Sequence, residues 1–270
     1  MIRKIAARRA GAVLALTAFA TACSISRQQE IQMGADYANQ INAQVPLVRD
    51  PEVNRYLSVL GNQLARVSGV SDLQWNFYIV DSREVNAFAV PGGYVYINRG
   101  LIERTDRLDE VAGVLAHEIA HVTERHSVEQ LEKAQKAEVG VTLACILTGV
   151  CGSQVAGAAI NIAGGAVFAR FSRQAENEAD VVGFDLLMRA GISPQGMATM
   201  FEKLLAERRS RPAGVEAWFA THPLEEDRLA AVQARIAQIP AAQLSQLTRN
   251  TTNFTAFKRR LQGLPYTGSR

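Results

Sequence analysis

The sequence predicts an α+β fold that is mainly α-helical, with a small β-sheet beside one buried helix. Apolar residues recur at helical spacing over most of the chain, whereas residues 73–99 have the composition and period of β-strands. Residues 110–122 form an apolar helical pattern that contains two of the four histidines in the chain, His117 and His121. We therefore expect the sheet to lie near a buried helix that carries His117 and His121. Polar side chains in such an apolar helix indicate a functional site.

Residues 1–22 have the composition of an export signal. Four basic residues precede an apolar stretch of about 13 residues, which is too short to span a membrane. The stretch ends in Ala20-Thr21-Ala22-Cys23, which resembles the cleavage box of bacterial lipoproteins. We expect Cys23 to be lipidated and to anchor the protein on the periplasmic side of the outer membrane. The alternative is ordinary signal cleavage next to an incidental cysteine.

The basic character of the sequence belongs mainly to this signal. The formal net charge is +3, and it would be −1 without residues 1–22, which contain four basic and no acidic side chains. The remainder offers no basic stripe, so we exclude nucleic acid as a partner. Its length of about 248 residues is enough for one large domain, which we place at residues 23–240.

Helices and then strands are predicted before His117. Residues 24–72 have helical spacing, and Asp50-Pro51 has the pattern of an N-cap followed by a first-turn proline. The strands are expected at residues 74–80, 85–90 and 94–97, and Pro91-Gly92-Gly93 predicts a hairpin between the last two. The second of these strands in sequence, residues 85–90, is either simply part of a packed sheet or an edge strand that pairs with an extended peptide.

The segment HEIAH at residues 117–121 carries the strongest chemical signal. His117 and His121 are four residues apart, so a helix places both imidazoles on one face, where they can share a metal ion. Zn²⁺ is the usual occupant of such a nitrogen-rich site. The Glu118 carboxylate can reach a metal-bound water and accept its proton. The alternative is a core helix with two incidental histidines.

A second segment offers the remaining ligand. Glu176 and Asp180 are one helical turn apart, and two histidines with one carboxylate form a known catalytic zinc set. Asp180 is placed to accept the other N–H of a ligand imidazole. Glu178 points about 200° away from Glu176 and is expected on a solvated face. His126 lies across the helix from His117, so we expect a structural hydrogen bond from it.

Residues 139–169 contain no charged side chain, and their length would suffice for a membrane span. Six glycines interrupt the stretch, so we favour buried helical segments with a flexible break that covers the site. The alternative is an integral membrane protein. Cys145 and Cys151 lie in this stretch and could pair in an oxidising periplasm, which the sequence leaves open.

These segments together resemble the metallopeptidase family of the HtpX heat-shock protease and the CAAX prenyl protease. HEIAH is similar to the family's first ligand motif, and SRQAENEAD at residues 172–180 is similar to its second. The family's substrate-side strand matches VNAFA at 85–89, which assigns substrate contacts to Asn86, Ala87 and Phe88. Its late His-Pro…Arg segment matches residues 222–228. The lipoprotein box favours the periplasmic branch of the family.

The resemblance implies a gluzincin-type domain with one zinc ion per subunit. His117, His121 and Glu176 would bind the zinc, and Glu118 would be the general base. The implied activity is hydrolysis of misfolded or unassembled envelope proteins. The implied partners are these protein substrates, the membrane through Cys23, and the outer-membrane assembly machinery.

Two late residues receive roles from the same resemblance. His222 matches a histidine that approaches the metal, either as an inhibitory ligand or as a donor to the developing oxyanion. Arg228 matches an arginine near the same site. The alternative for His222 is a helix cap before Pro223.

Two questions stay open at this point. One is whether the protein is a protease or a chaperone-like lipoprotein with a largely closed metal site. The other concerns residues 241–270, which are polar with scattered apolar residues. We expect them to form a weakly ordered C-terminal tail or a docking segment.

Overall fold

The computed structural model describes residues 24–136, 170–223 and 226–267. The expected export signal and Cys23 lie outside these residues, as does the uncharged stretch with Cys145 and Cys151. Among the residues described, no helix is long and apolar enough to cross a membrane. The structure is mainly helical with one small sheet, which confirms the predicted fold class.

The sheet has three strands, β1 (Asn76–Val80), β2 (Ala87–Val90) and β3 (Tyr94–Asn98), in the order β1-β3-β2. The predicted hairpin is present, because β2 and β3 are antiparallel with Ala87 opposite Ile97. Gly92 and Gly93 adopt φ values of 83° and 93° in its turn, a region that disfavours other residues. The parallel pairing of β1 with β3 was not predicted. β2 is an edge strand of this sheet.

The alternation of side chains along the strands divides them between two hydrophobic clusters. Phe77, Ile79, Val95 and Ile97 belong to the main core, together with α2 (Pro51–Arg66) and α4 (Leu108–Thr123). The other face of the sheet carries three stacked aromatic rings, Tyr78, Tyr96 and Phe88. This outer face packs against α1 (Arg27–Gln44), so the sheet is covered on both sides.

Helix α4 is the centre of the molecule, and residues 108–122 are all buried. Residues 126–136 form a further helix, α5, after a turn. The other helices are α3 (Arg99–Arg104), α6 (Arg173–Arg189), α7 (Gln195–Ser210), α8 (Pro212–Thr221), α9 (Glu226–Ala237), α10 (Ala241–Leu244) and α11 (Thr252–Gly263).

The close contact between α4 and α6 depends on a glycine. A Cβ atom at Gly183 would lie 3.1 Å from the Ala116 carbonyl carbon and from the His117 nitrogen. Such contacts are tighter than side chains normally allow, so the hydrogen of glycine lets the two backbones approach. This approach brings the acidic residues of α6 next to the histidines of α4.

Of the two expectations for residues 241–270, a weakly ordered tail or a docking segment, the described part to residue 267 fits the docking segment. Helix α11 buries Phe254, Phe257 and Leu261 against the main core, and the Phe257 ring stacks on Tyr56 with ring centroids 4.5 Å apart. Apolar side chains at positions i, i+3 and i+7 form one helical face, which is the physical reason for the docking. The segment therefore completes the domain.

Candidate metal centre

Helices α4 and α6 bring three predicted ligands together. The Nε2 atoms of His117 and His121 are 3.1 Å apart. The two carboxylate oxygens of Glu176 lie 3.5 Å from His117 Nε2 and 3.3 Å from His121 Nε2. All three side chains are almost fully buried. The spacing of four residues in α4 and the cap of α6 at Ser172 together set this arrangement.

These distances fit a tetrahedral metal ion. Ligand atoms around Zn²⁺ with bonds of 2.0–2.2 Å lie about 3.3–3.6 Å from one another. The two imidazole nitrogens are 3.1 Å apart and lie 3.5 and 3.3 Å from the two different oxygens of Glu176, so the separations are close to these values. The donor set of two neutral imidazoles and one carboxylate is also one that zinc prefers.

His222 approaches the same point from the end of α8. Its Nδ1 atom lies 3.0 Å from Glu176 Oε1, and its Nε2 atom lies 3.4 Å from Glu118 Oε1. Ligand atoms of His117, His121, Glu176 and His222 all lie within 4.8 Å of one another. The backbone N–H of His222 also ends α8 by donating to Trp218. The residue therefore caps a helix and faces the site at the same time.

Asp180 and Arg228 contact the ligand side chains on the side away from the proposed metal position. Asp180 Oδ1 lies 3.0 Å from His117 Nδ1, the ring nitrogen that points away from the other ligands. The Arg228 guanidinium donates to both oxygens of Asp180 at 2.7 Å and also donates to Glu176 Oε2. Since Arg228 touches the two carboxylates, the structure places it as their partner.

Glu118 is buried beside the ligands and faces His222 across 3.4 Å. Its oxygens have no hydrogen bond of regular geometry within the described part of the chain, although a contact with the backbone of Ala89 favours the ionised form. Burial raises the pKa of its carboxyl above the ordinary value. A carboxylate that is desolvated in this way is a better proton acceptor, which suits a general base.

The charges of the site favour a bound cation. Burial lowers the pKa of His117, but Asp180 and Glu176 outweigh it and raise this pKa to about 9. Burial disfavours the ionised form of Glu176, but His222 and the two α4 histidines outweigh it and hold its pKa well below the usual range. The two carboxylates thus attract positive charge to this point, as a metal-binding site requires.

The predicted substrate strand lies beside the site only in part. β2 contacts α4, and Ala87 faces the main core on that side. Phe88 points to the opposite face, where it stacks on Tyr96 with ring centroids 4.8 Å apart. Asn86 precedes β2 and accepts a backbone hydrogen bond from Asn98. The alternation along the strand therefore separates Ala87 from Phe88.

Sequence reasoning missed two aromatic residues that hold the histidines. Phe171 stacks on His121 with ring centroids 4.0 Å apart, and Trp218 stacks on His222 at 4.7 Å. Trp218 lies one turn before His222 in α8, which is a local signal. Phe171 lies 50 positions from His121, so no local pattern could have indicated it. The predicted structural hydrogen bond of His126 is confirmed, and its partner is His121.

Comparison with known proteins gives a family match over most of the domain. The model of peptidase family M48 matches residues 51–236, which include every predicted ligand. The beta-barrel assembly-enhancing protease of Escherichia coli (strain K12) is 37% identical over 227 residues, which cover 80% of this chain and 45% of that protein. The chain spans about half the length of such relatives.

Two shorter relatives from the same bacterium are covered more fully. Metalloprotease YcaL is 33% identical over 67% of this chain and 71% of its own length. Metalloprotease LoiP is 30% identical over 69% of this chain and 71% of its own length. The similarity therefore extends beyond the metal-binding motifs to most of the fold.

Proposed function

The chain belongs to peptidase family M48 and carries that family's metalloendopeptidase domain, and from this premise we propose that it is a zinc-dependent endopeptidase of the bacterial cell envelope. The observation that supports this best is the convergence of His117, His121 and Glu176 from two helices at the separations of a tetrahedral site. The buried Glu118 next to them would supply the base.

Each residue has a role in the proposed reaction. His117, His121 and Glu176 would hold one zinc ion, which when bound polarises the peptide carbonyl and lowers the pKa of a water to ~7. Glu118 accepts the proton of the attacking water and passes it to the leaving amine. Asp180 fixes the orientation of His117, and Arg228 holds Asp180 and Glu176 in place.

Substrates and location are proposed from the relatives. One relative is named a beta-barrel assembly-enhancing protease, which suggests action on proteins of the outer membrane. We propose that this chain cleaves misfolded or unassembled envelope proteins. We also propose that lipidated Cys23 holds it on the periplasmic side of the outer membrane, near the assembly machinery. Alkaline extraction of a Cys23→Ala variant tests the anchor, because the variant should leave the membrane fraction.

Metal analysis and casein cleavage test the proposed activity. The purified protein should contain one zinc ion, and a chelator should abolish cleavage. Glu118→Gln should retain zinc and lower kcat by about 10²–10⁴-fold, because the variant lacks the proton acceptor. Glu124→Gln changes an exposed glutamate at the end of the same helix and should leave kcat unchanged. A zinc-free protein, or full cleavage by Glu118→Gln, would contradict the proposal.

The position of His222 favours a second candidate function, a chaperone-like protein with a closed site. Its two ring nitrogens lie 3.0 Å from Glu176 and 3.4 Å from Glu118, where a substrate carbonyl and water would have to fit. If His222 closes the site, His222→Ala should raise casein cleavage, whereas loss of an oxyanion donor should lower it. Equal protection of an envelope-stressed strain by wild type and Glu118→Gln would favour the chaperone.

A further inference from the structure

The two proposed ligand histidines of α4 have different partners at their second ring nitrogen. The second ring nitrogen of His117 faces the Asp180 carboxylate, whereas the Nδ1 atom of His121 lies 2.9 Å from the Nδ1 atom of another histidine, His126. His121 presents Nε2 to the other ligands, so its Nδ1 carries the proton and donates it to His126. His126 then carries its own proton on Nε2, which lies 3.5 Å from the Glu178 carboxylate.

A turn in an uncommon conformation makes this contact possible. In a continuous helix His126 would lie about 140° around the axis from His121, too far for their rings to meet. Instead, α4 ends at Thr123, and Arg125 has a φ of 58°, the one positive value among the non-glycine residues described. Such a conformation is strained and persists only where surrounding contacts hold it.

The contacts that hold Arg125 come from the N-terminal helix α1 and from the residue before its N-cap. Arg125 Nε donates to Glu30 Oε2 at 2.8 Å, and its terminal nitrogen donates to the Ile25 carbonyl at 2.7 Å. Glu30 is fully buried, and its other oxygen accepts from Arg27 at 2.9 Å. A buried carboxylate needs its cationic partners, so the position of Arg125 is firmly determined.

We propose that His126 is a positioning residue for the metal ligand His121, and that the ion pair of Arg125 with the buried Glu30 of the N-terminal helix sets the position of His126. This inference rests on the proposed function, because it assumes that His121 binds zinc. On this proposal α1, the first helix described, affects the affinity of the metal centre for zinc. The path runs from Glu30 through Arg125 and His126 to the ring of His121.

Zinc affinity of the full protein, measured by competition with a chelating indicator, tests this path. His126→Ala should raise the zinc Kd by about 10–100-fold, the usual effect of losing the partner of a ligand histidine. His126→Asn should stay within about threefold of wild type, because its amide oxygen can accept the same N–H. Glu30→Gln should raise the zinc Kd by more than about twofold and by up to about tenfold, since Arg125 loses a charged partner.

A second ion pair with a buried carboxylate provides the control. Asp81 and Arg99 are 3.2 Å apart and nearly fully buried, and neither contacts any residue of the metal centre among the described contacts. Asp81→Asn should therefore change the zinc Kd by less than about twofold. The absorption spectrum of the Co²⁺-loaded protein gives a second readout, which should change for His126→Ala and remain as in wild type for Asp81→Asn.

The outcomes separate this inference from the proposed function. If the wild type binds no zinc, both fail. If the wild type binds zinc and His126→Ala binds it equally well, only the positioning role is overturned. An equal loss in His126→Ala and His126→Asn also overturns it, because hydrogen bonding would then not be the cause. Equal losses in Glu30→Gln and Asp81→Asn would overturn the role of α1.

Discussion

The two ends of helix α4 are both buried, but they are built from different interactions. At the carboxyl end, His117 and His121 face carboxylates of α6 at the separations of a metal site. At the amino end, Asp109 and Glu110 form ion pairs, and the latter lies 2.6 Å from Lys203 of α7. Negative charge at the amino end is favoured by the helix dipole, so this end needs no metal.

The source of the contacts also differs between the two ends. Arg107, the N-cap residue before α4, makes no side-chain hydrogen bond to the first turn of the helix. The free backbone N–H groups of Leu108 and Asp109 are satisfied instead by Asn250 Oδ1 at 3.2 Å and by the Arg249 carbonyl at 3.0 Å. The C-terminal segment thus holds one end of the helix, while α1 and α6 hold the other.

Because the two ends of α4 have different contacts, changes at each end should affect stability and metal binding differently. Changes at the amino end should lower the free energy of unfolding without altering zinc affinity, because none of its side chains contacts a ligand. Changes at the carboxyl end should affect both, because the same side chains make the site and the core.

The largest effect on stability is expected at Arg228, which is 5% exposed and joins Asp180 to Glu176. Arg228→Met would leave both carboxylates buried without their cation, so the free energy of unfolding of the zinc-free protein should fall by about 3–5 kcal/mol in urea titrations. Arg235→Met removes an exposed partner of Asp185 and should cost less than about 1 kcal/mol. Equal losses in the two variants would contradict the role of Arg228.

An intermediate effect is expected at the amino end of α4. Lys203→Met removes the partner of buried Glu110, and Arg107 remains 3.2 Å from that carboxylate. The free energy of unfolding should fall by about 1–3 kcal/mol, whereas the zinc Kd should stay unchanged. The control is Lys133→Met, which breaks an exposed pair with Glu129 and should stay within about 0.5 kcal/mol of wild type. A weaker zinc affinity in Lys203→Met would show that the two ends are coupled.

The same contrast explains which contacts of α4 could be predicted from the sequence. The ligands were predictable because HEIAH and the Glu176–Asp180 pair are local patterns, each set by one helical turn. Arg228 and His222 came only from the family resemblance, since they reach the site from separate helices. The amino-end cap could not be predicted, because Asn250 lies 142 positions from Leu108.

The C-terminal segment is a case in which the sequence left two possibilities open. Phe254, Phe257 and Leu261 have the spacing of one helical face, but the polar residues around them are also typical of a weakly ordered tail. A single buried face is enough to dock a helix, whatever the rest of its surface carries. Polar composition alone was therefore a poor guide to order in this segment.

The smallest effect on the free energy of unfolding is expected at Asn250, which contacts the amino end of α4. Asn250→Ala removes the side-chain oxygen that accepts the Leu108 N–H, while the Arg249 carbonyl still accepts from Asp109. Loss of one helix cap should lower the free energy of unfolding by about 1 kcal/mol. Asn253→Ala, an exposed change in α11, should stay within about 0.5 kcal/mol of wild type. Zinc affinity should be unchanged in both. If Asn250→Ala weakened zinc binding, the C-terminal segment would be acting through α4 on the ligands nearly three turns away, and the two ends could no longer be treated as independent.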